Sequence, residues 1–149
     1  PYLYPTYLVN FSASSLAVNN ASQVCAGCTT DEQKVLAVKK YVIDTLQYDK
    51  SKASDVRAGN LKFYTPNADS ILAAGRGICY DYAALFAAML RCQGIPVRLV
   101  KGYAYSTSEG TMVYHAWNEA YYNGAWHIVD CTFEDGGALS SSYNVETYN

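Results

Sequence analysis

Gly75-Arg76-Gly77-Ile78-Cys79-Tyr80-Asp81-Tyr82-Ala83-Ala84-Leu85-Phe86-Ala87-Ala88-Met89-Leu90-Arg91-Cys92-Gln93-Gly94-Ile95-Pro96 is the stretch that decides the fold. Cys79 to Gln93 reads as one helix, opened after Gly77 and ended by Gly94 and Pro96. Tyr82, Ala83, Leu85, Phe86, Met89 and Leu90 make it apolar almost all round, the pattern of a buried central helix.

C-terminal to this helix the apolar period changes to two. Val97–Tyr105, Val113–Tyr122 and Ala125–Phe133 read as three strands. Asn123-Gly124 joins the last two as a two-residue hairpin turn. On the N-terminal side, Asn67 or Asp69 caps a short helix through Ala74, stopped by Gly75. Residues 48–67 are polar and irregular and read as a loop. Thr30 and Gln33 stand at capping-box spacing ahead of Val35, Val38, Val42 and Leu46, which predicts an amphipathic helix over 31–47. Residues 1–30 lack clean periodicity and read as an N-terminal extension, with a short strand where Tyr7, Val9 and Phe11 alternate. The Gly/Ser-rich tail from Gly136 reads as loose. The 149 residues are expected to form a single α+β domain, with the central helix packed on an antiparallel sheet.

Composition narrows the function. Half the residues are apolar, enough for a real core, and the net charge of −2 leaves no basic excess to neutralise a phosphate backbone. A nucleic-acid partner is therefore not expected. The longest apolar run, Tyr82–Leu90, is far shorter than the ~20 residues that span a bilayer. No leader-like segment is visible, and the chain begins at Pro1, as a processed or excised chain does. A surface of Ser, Thr, Asn and Tyr, with five cysteines, points to an extracellular or cell-surface protein.

Cys79 begins the central helix. A helix N-terminus offers partial positive charge and free N–H groups, which favour a thiolate. On position alone, a reactive thiol and a small buried hydrophobe both remain open. A nucleophilic thiol needs a base, and the chain has two histidines. With a two-residue turn at Asn123-Gly124, Tyr122 pairs with Ala125, Trp117 with Asp130 and His115 with Thr132. His115 and Asp130 are then diagonal neighbours on one sheet face, ~7 Å apart at Cβ. That is within reach of an imidazole–carboxylate hydrogen bond. His127 points to the other face, with Asn118, Ala120 and Cys131. Trp117, Trp126 and Ile128 share the His115 face and are expected to meet the central helix. Asp81 is a rival carboxylate for the nucleophile, although its place in the helix favours capping. Arg76 stands as a candidate to favour the thiolate or as a plain solvated charge.

Gly77-Ile78-Cys79-Tyr80-Asp81-Tyr82-Ala83, Gly94-Ile95-Pro96-Val97-Arg98 and Gly102-Tyr103, followed by His115-Ala116-Trp117-Asn118-Glu119 and Gly124-Ala125-Trp126-His127-Ile128-Val129-Asp130, resemble the transglutaminase-like superfamily. The resemblance covers residues 69–133 and is closest to the small bacterial members. It implies a papain-like cysteine-protease/transglutaminase core, with Cys79 as nucleophile, His115 as base and Asp130 as orienting carboxylate. It also implies Tyr48, and with it Trp117, beside the oxyanion or substrate. Family members often carry proline after the aspartate, where this chain has Cys131. Nothing here looks like a calcium loop, and neither a metal nor another cofactor is expected.

The resulting expectation is thiol-dependent acyl transfer on peptide or protein carboxamides through a thioester. One alternative is an extracellular cysteine peptidase or amidase with water as acceptor. Another is a catalytically silent binding module, against which the intact Cys–His–Asp set argues. With Cys79 set aside, four cysteines remain. Cys25 and Cys28 are a natural local disulfide, redox pair or half of a zinc site, though no second Cys pair stands at zinc spacing. Cys92 and Cys131 would be left as a second bridge.

Overall fold

All thirteen residues of Cys79–Arg91 are helical and buried, as its nearly uniform apolar surface requires. In the computed structural model, which describes residues 2–12, 15–52, 65–106, 109–132 and 143–149, this helix is the axis of the fold. The helices are α1 (Leu16–Val24), α2 (Asp31–Thr45), α3 (Ala68–Ala74) and α4 (Cys79–Arg91). The first three pack against α4 on one side. On its other side lies an antiparallel sheet in the order β5-β4-β3-β6, formed by Val97–Ser106 (β3), Thr111–Tyr122 (β4), Ala125–Val129 (β5) and Tyr143–Tyr148 (β6). Gln47–Tyr48 (β1) and Arg76–Gly77 (β2) form a separate parallel pair.

Local signals account for most of these boundaries. Thr30 Oγ1 accepts from Gln33 N at 3.1 Å at the start of α2. The Gln33 side chain reaches Thr29 N at 2.7 Å, one residue beyond the usual capping-box partner. Asn67, not Asp69, caps α3, accepting from Ser70 N at 3.0 Å. Asp69 instead accepts from Ala17 N at 3.1 Å and ties α1 to α3. Asn123 and Gly124 both take positive φ (53° and 79°), the conformation of a two-residue hairpin turn. The pairs Tyr122↔Ala125 through Asn118↔Val129 carry the register that this turn predicts.

Five expectations are corrected. Residues 7–11 form no strand; Thr6 N donates to Val9 O in a turn. Residues 16–24, read as aperiodic, form α1, capped by Ser15 and buried through Ala17 and Ala21. The loop expected over 48–67 gives up Tyr48 to β1 and residues 50–52 to a helical turn, while 53–64 lie outside the described residues. β5 ends at Val129, not at residue 133: Asp130 leaves the ladder, and Cys131 and Thr132 are helical. The expected looseness of 136–142 falls outside the described residues, but 143–148 form β6 on the far edge of β3.

The sheet face that meets α4 is also the reverse of the one expected. Val97, Leu99, Ala116, Ala120 and Val129 join the main core with α4. Trp117 packs on the opposite face with Val100, Ala104 and Tyr143. Ala116 and Ala120 are small enough to let the helix backbone approach β4. Asn118, between them, donates from Nδ2 to Ala83 O at 3.0 Å and to Arg98 O at 3.1 Å. The larger side chains of the other face find different partners. Trp126 carries the Arg98 guanidinium 3.8 Å from its ring centroid, and Ile128 is 47% exposed.

Candidate active site

Cys79 is the first residue of α4 and is buried. The chain enters it through β2, whose Gly77 pairs with Tyr48 of β1, while Asp49 N donates to Gly77 O at 2.8 Å. Asp81 closes the helix start: its Oδ2 accepts from Ile78 N at 2.9 Å and from Lys52 Nζ at 2.9 Å. A Cβ on Gly77 would fall 2.6 Å from Asp81 Cβ, so only glycine lets the capping carboxylate fold back this closely. Asp81 is therefore occupied as a cap and ion-pair partner. Arg76 is exposed, and its Nη2 donates to Gln47 Oε1 at 3.3 Å.

His115 on β4 is buried, and its Nε2 lies 2.8 Å from Asp130 Oδ2. The Cys79 side chain neighbours the ring, and with Nε2 on Asp130 the ring atom left for the sulfur is Nδ1. β3 shifts register against β6 at Lys101/Gly102, and Gly102 lies opposite His115. Asp130, buried beyond the end of β5, engages both oxygens. Thr132 Oγ1 donates to Oδ1 at 3.0 Å, and Tyr143 Oη donates to Oδ2 at 3.0 Å. Thr132 and Tyr143 were not anticipated from sequence.

Burial by itself disfavours the His115 cation, but the Asp130 carboxylate, followed by Cys79, more than offsets this. The imidazolium is raised to about 10. An ordinary histidine titrates near ~6.5. The stability this ion pair contributes is therefore fully present below that value and is lost as pH rises toward 10. Urea midpoints measured from pH 6.5 to 10 should fall across the interval, and Asp130→Ala should flatten the slope. A wild-type midpoint that stays level there would refute the assignment.

Trp117 is buried behind the imidazole, stacked 6.1 Å from it at 22°. Tyr48 is half-buried, 6.3 Å between centroids from Tyr82, whose hydroxyl donates to Leu46 O at 3.2 Å. Tyr80 and Tyr114 border the cysteine. Burial, with neighbouring charges that include Cys79, pushes both phenols up, Tyr114 to about 12. His127 lies apart, stacked on Tyr122 with centroids 3.8 Å apart.

All five cysteines are free thiols, so neither expected disulfide is formed in this structure. Burial, then the neighbouring Cys25, pushes Cys92 up to about 11. Burial and Cys28 likewise raise Cys25. Cys92 thus neighbours Cys25, each at the C-terminal end of its helix. Among the described residues, no group of three or more His, Cys, Asp or Glu side chains is arranged to hold a metal ion.

Comparison with known proteins follows the same outline. A sequence profile described as the transglutaminase-like superfamily matches residues 19–131. Human kyphoscoliosis peptidase is 31% identical over 113 residues, covering 72% of this chain but 16% of that protein. This chain therefore spans only a small part of that relative. A Cytophaga hutchinsonii protein, described only as a candidate cysteine protease, superposes with a TM-score of 0.70 at 24% identity. The superposition covers 98% of this chain and 54% of that one. The periplasmic domain of TgpA from Pseudomonas aeruginosa superposes with a TM-score of 0.57 at 22% identity, covering 88% and 50%. These structural neighbours share the papain-like cysteine-protease/transglutaminase fold.

Proposed function

This chain belongs to the transglutaminase-like superfamily, and from that premise we propose that it transfers acyl groups from peptide or protein carboxamides through Cys79. The observation that carries the reading is His115, buried between the Asp130 carboxylate, 2.8 Å away, and the Cys79 side chain. An imidazolium there stabilises the Cys79 sulfur as the anion that attacks.

The Cys79 sulfur adds to the carboxamide carbon, and the carbonyl π electrons move onto oxygen. The Cys79 backbone N–H, at the start of α4, and the Tyr48 hydroxyl are the proposed donors to that oxyanion. As the tetrahedral intermediate collapses, the C–N bond breaks. His115 gives its proton to the departing nitrogen, leaving a thioester and a neutral imidazole. An incoming amine or water then loses a proton to His115 as it attacks the thioester. The C–S bond breaks, and the sulfur leaves again as the anion beside the imidazolium. Asp130 keeps one ring orientation through both half-reactions. Trp117 backs the ring and limits its rotation.

Hydrolysis with water as acceptor is the second reading, favoured by the 31% identity to a protein named as a peptidase. Among the described residues no helix is long and apolar enough to cross a membrane. Likeness to a periplasmic domain supports an extracellular or periplasmic setting. The deciding experiment is mass spectrometry of the protein incubated with glutamine-containing peptides, with and without a primary amine. The expected result is an acyl adduct on Cys79 with release of ammonia, discharged faster when the amine is present. Peptide cleavage with no amine effect selects the hydrolytic reading. No adduct and no product with any peptide refutes both.

A further inference from the structure

We propose that Tyr143, on the edge strand β6, is a positioning residue for this site: its hydroxyl fixes the Asp130 oxygen that holds His115. The inference rests on the reading above for its catalytic meaning, but its geometry stands independently. Asp130 Oδ2 receives the Tyr143 hydroxyl at 3.0 Å and His115 Nε2 at 2.8 Å. Oδ1 receives Thr132 Oγ1 at 3.0 Å. With both oxygens engaged, the carboxylate plane cannot turn without breaking a hydrogen bond in a buried setting.

Tyr143 also touches the site by a second route. Its ring lies 4.7 Å from Trp117, and Trp117 stacks on His115 at 6.1 Å. The strand that carries it is firmly held. Tyr143 pairs with Ala104, and beyond it Asn149 and Leu99 exchange backbone hydrogen bonds of 2.7 and 2.8 Å. Arg91, at the end of α4, donates from Nη2 to Asn149 O at 2.7 Å. β6 is thus anchored at both ends, to the sheet and to the helix that carries the nucleophile.

A donor on the shared oxygen draws negative charge away from the imidazolium. Removing it leaves Asp130 a stronger partner for the charged ring. The hydroxyl therefore orients the carboxylate while easing release of the His115 proton. Among the described residues, the titratable groups that act on the ring are Cys79 from α4 and Asp130 beyond β5, with Tyr143 reaching Asp130 from β6.

Tyr143→Phe keeps the ring on Trp117 and removes only the donor. With two histidines in the chain, the His115 imidazole is readily assigned and titrated by NMR. Tyr143→Phe should raise its midpoint by about half a pH unit. 4-Aminophenylalanine at position 143, a weaker N–H donor that does not ionise in this range, should raise it by less. A structural role alone would change the melting temperature and leave both midpoints at the wild-type value, and that result overturns the proposal. Unmoved midpoints, or a larger rise with 4-aminophenylalanine than with Phe, do so as well. Because no substrate enters this measurement, a failure of acyl transfer is distinguishable from a failure of Tyr143 to position Asp130. If Tyr143→Phe does not fold, the 4-aminophenylalanine protein decides the matter by itself.

Discussion

Cys79→Ala is expected to abolish acyl-enzyme formation and to remove the one fast phase of iodoacetamide labelling at neutral pH. Cys25 and Cys92 are distinguished from Cys79 by their surroundings. Burial raises Cys25, and burial with Cys25 beside it pushes Cys92 up to about 11, so these thiols stay protonated and react slowly. Cys79 neighbours the imidazole that Asp130 holds charged. Turnover should fall by on the order of 10³-fold or more, since the substitution removes the attacking sulfur. Stability should change little, because the substitution removes one sulfur at the helix N-terminus. An equally large fast phase in wild type and variant would sink the assignment. Retained turnover by a stably folded Cys79→Ala protein would do the same.

The second large effect is expected at Asp130. Asp130→Ala leaves the His115 Nε2, Thr132 and Tyr143 donors without their shared acceptor. Unmade buried hydrogen bonds of this kind cost on the order of 3 kcal/mol together. The imidazolium loses its principal support, so His115 should titrate well below its wild-type midpoint. Activity should fall by roughly 10²- to 10⁴-fold. Asp130→Asn separates the two contributions. An amide oxygen still orients the ring but lacks the charge, so its activity should fall between wild type and Asp130→Ala. Equal kcat in wild type and Asp130→Ala, with an unchanged His115 titration, would remove Asp130 from the mechanism.

Much of the frame around these residues was legible because its signals are local. The helix at Cys79 is apolar on nearly every side and ends where Gly94 and Pro96 stop it. Asn123-Gly124 selects a turn with positive φ at both residues, and that turn sets the register of β4 on β5. Where the signal was weak, the reading missed. α1 contains Asn19, Asn20 and Ser22, poor helix formers, and its buried contacts come from the small Ala17 and Ala21. Their i, i+4 spacing after Ser15 was the available clue. β6 follows a Gly/Ser-rich segment that drew the whole tail into one reading, although Tyr143, Val145 and Thr147 alternate with polar residues.

The proximity of His115 and Asp130 followed from hairpin arithmetic, but its form did not. Continued pairing would place them diagonally across a ladder. In the structure β5 stops at Val129 and Asp130 turns out of the strand, where Thr132 and Tyr143 complete its hydrogen bonds. Tyr143 is thirteen residues from Asp130 and comes from the opposite edge of the sheet. No local pattern links the two.

By itself the sequence determined the central helix, the hairpin and its register, and a thiol, an imidazole and a carboxylate borne on those elements. Only the tertiary structure decided which sheet face meets the helix, how Asp130 is held and that a C-terminal strand reaches the site. The reason is physical. A period of two sorts side chains between two faces without saying which face a partner covers. That choice depends on how Ala116, Asn118 and Ala120 fit α4, and on how Trp117 fits Val100, Ala104 and Tyr143, across the whole core.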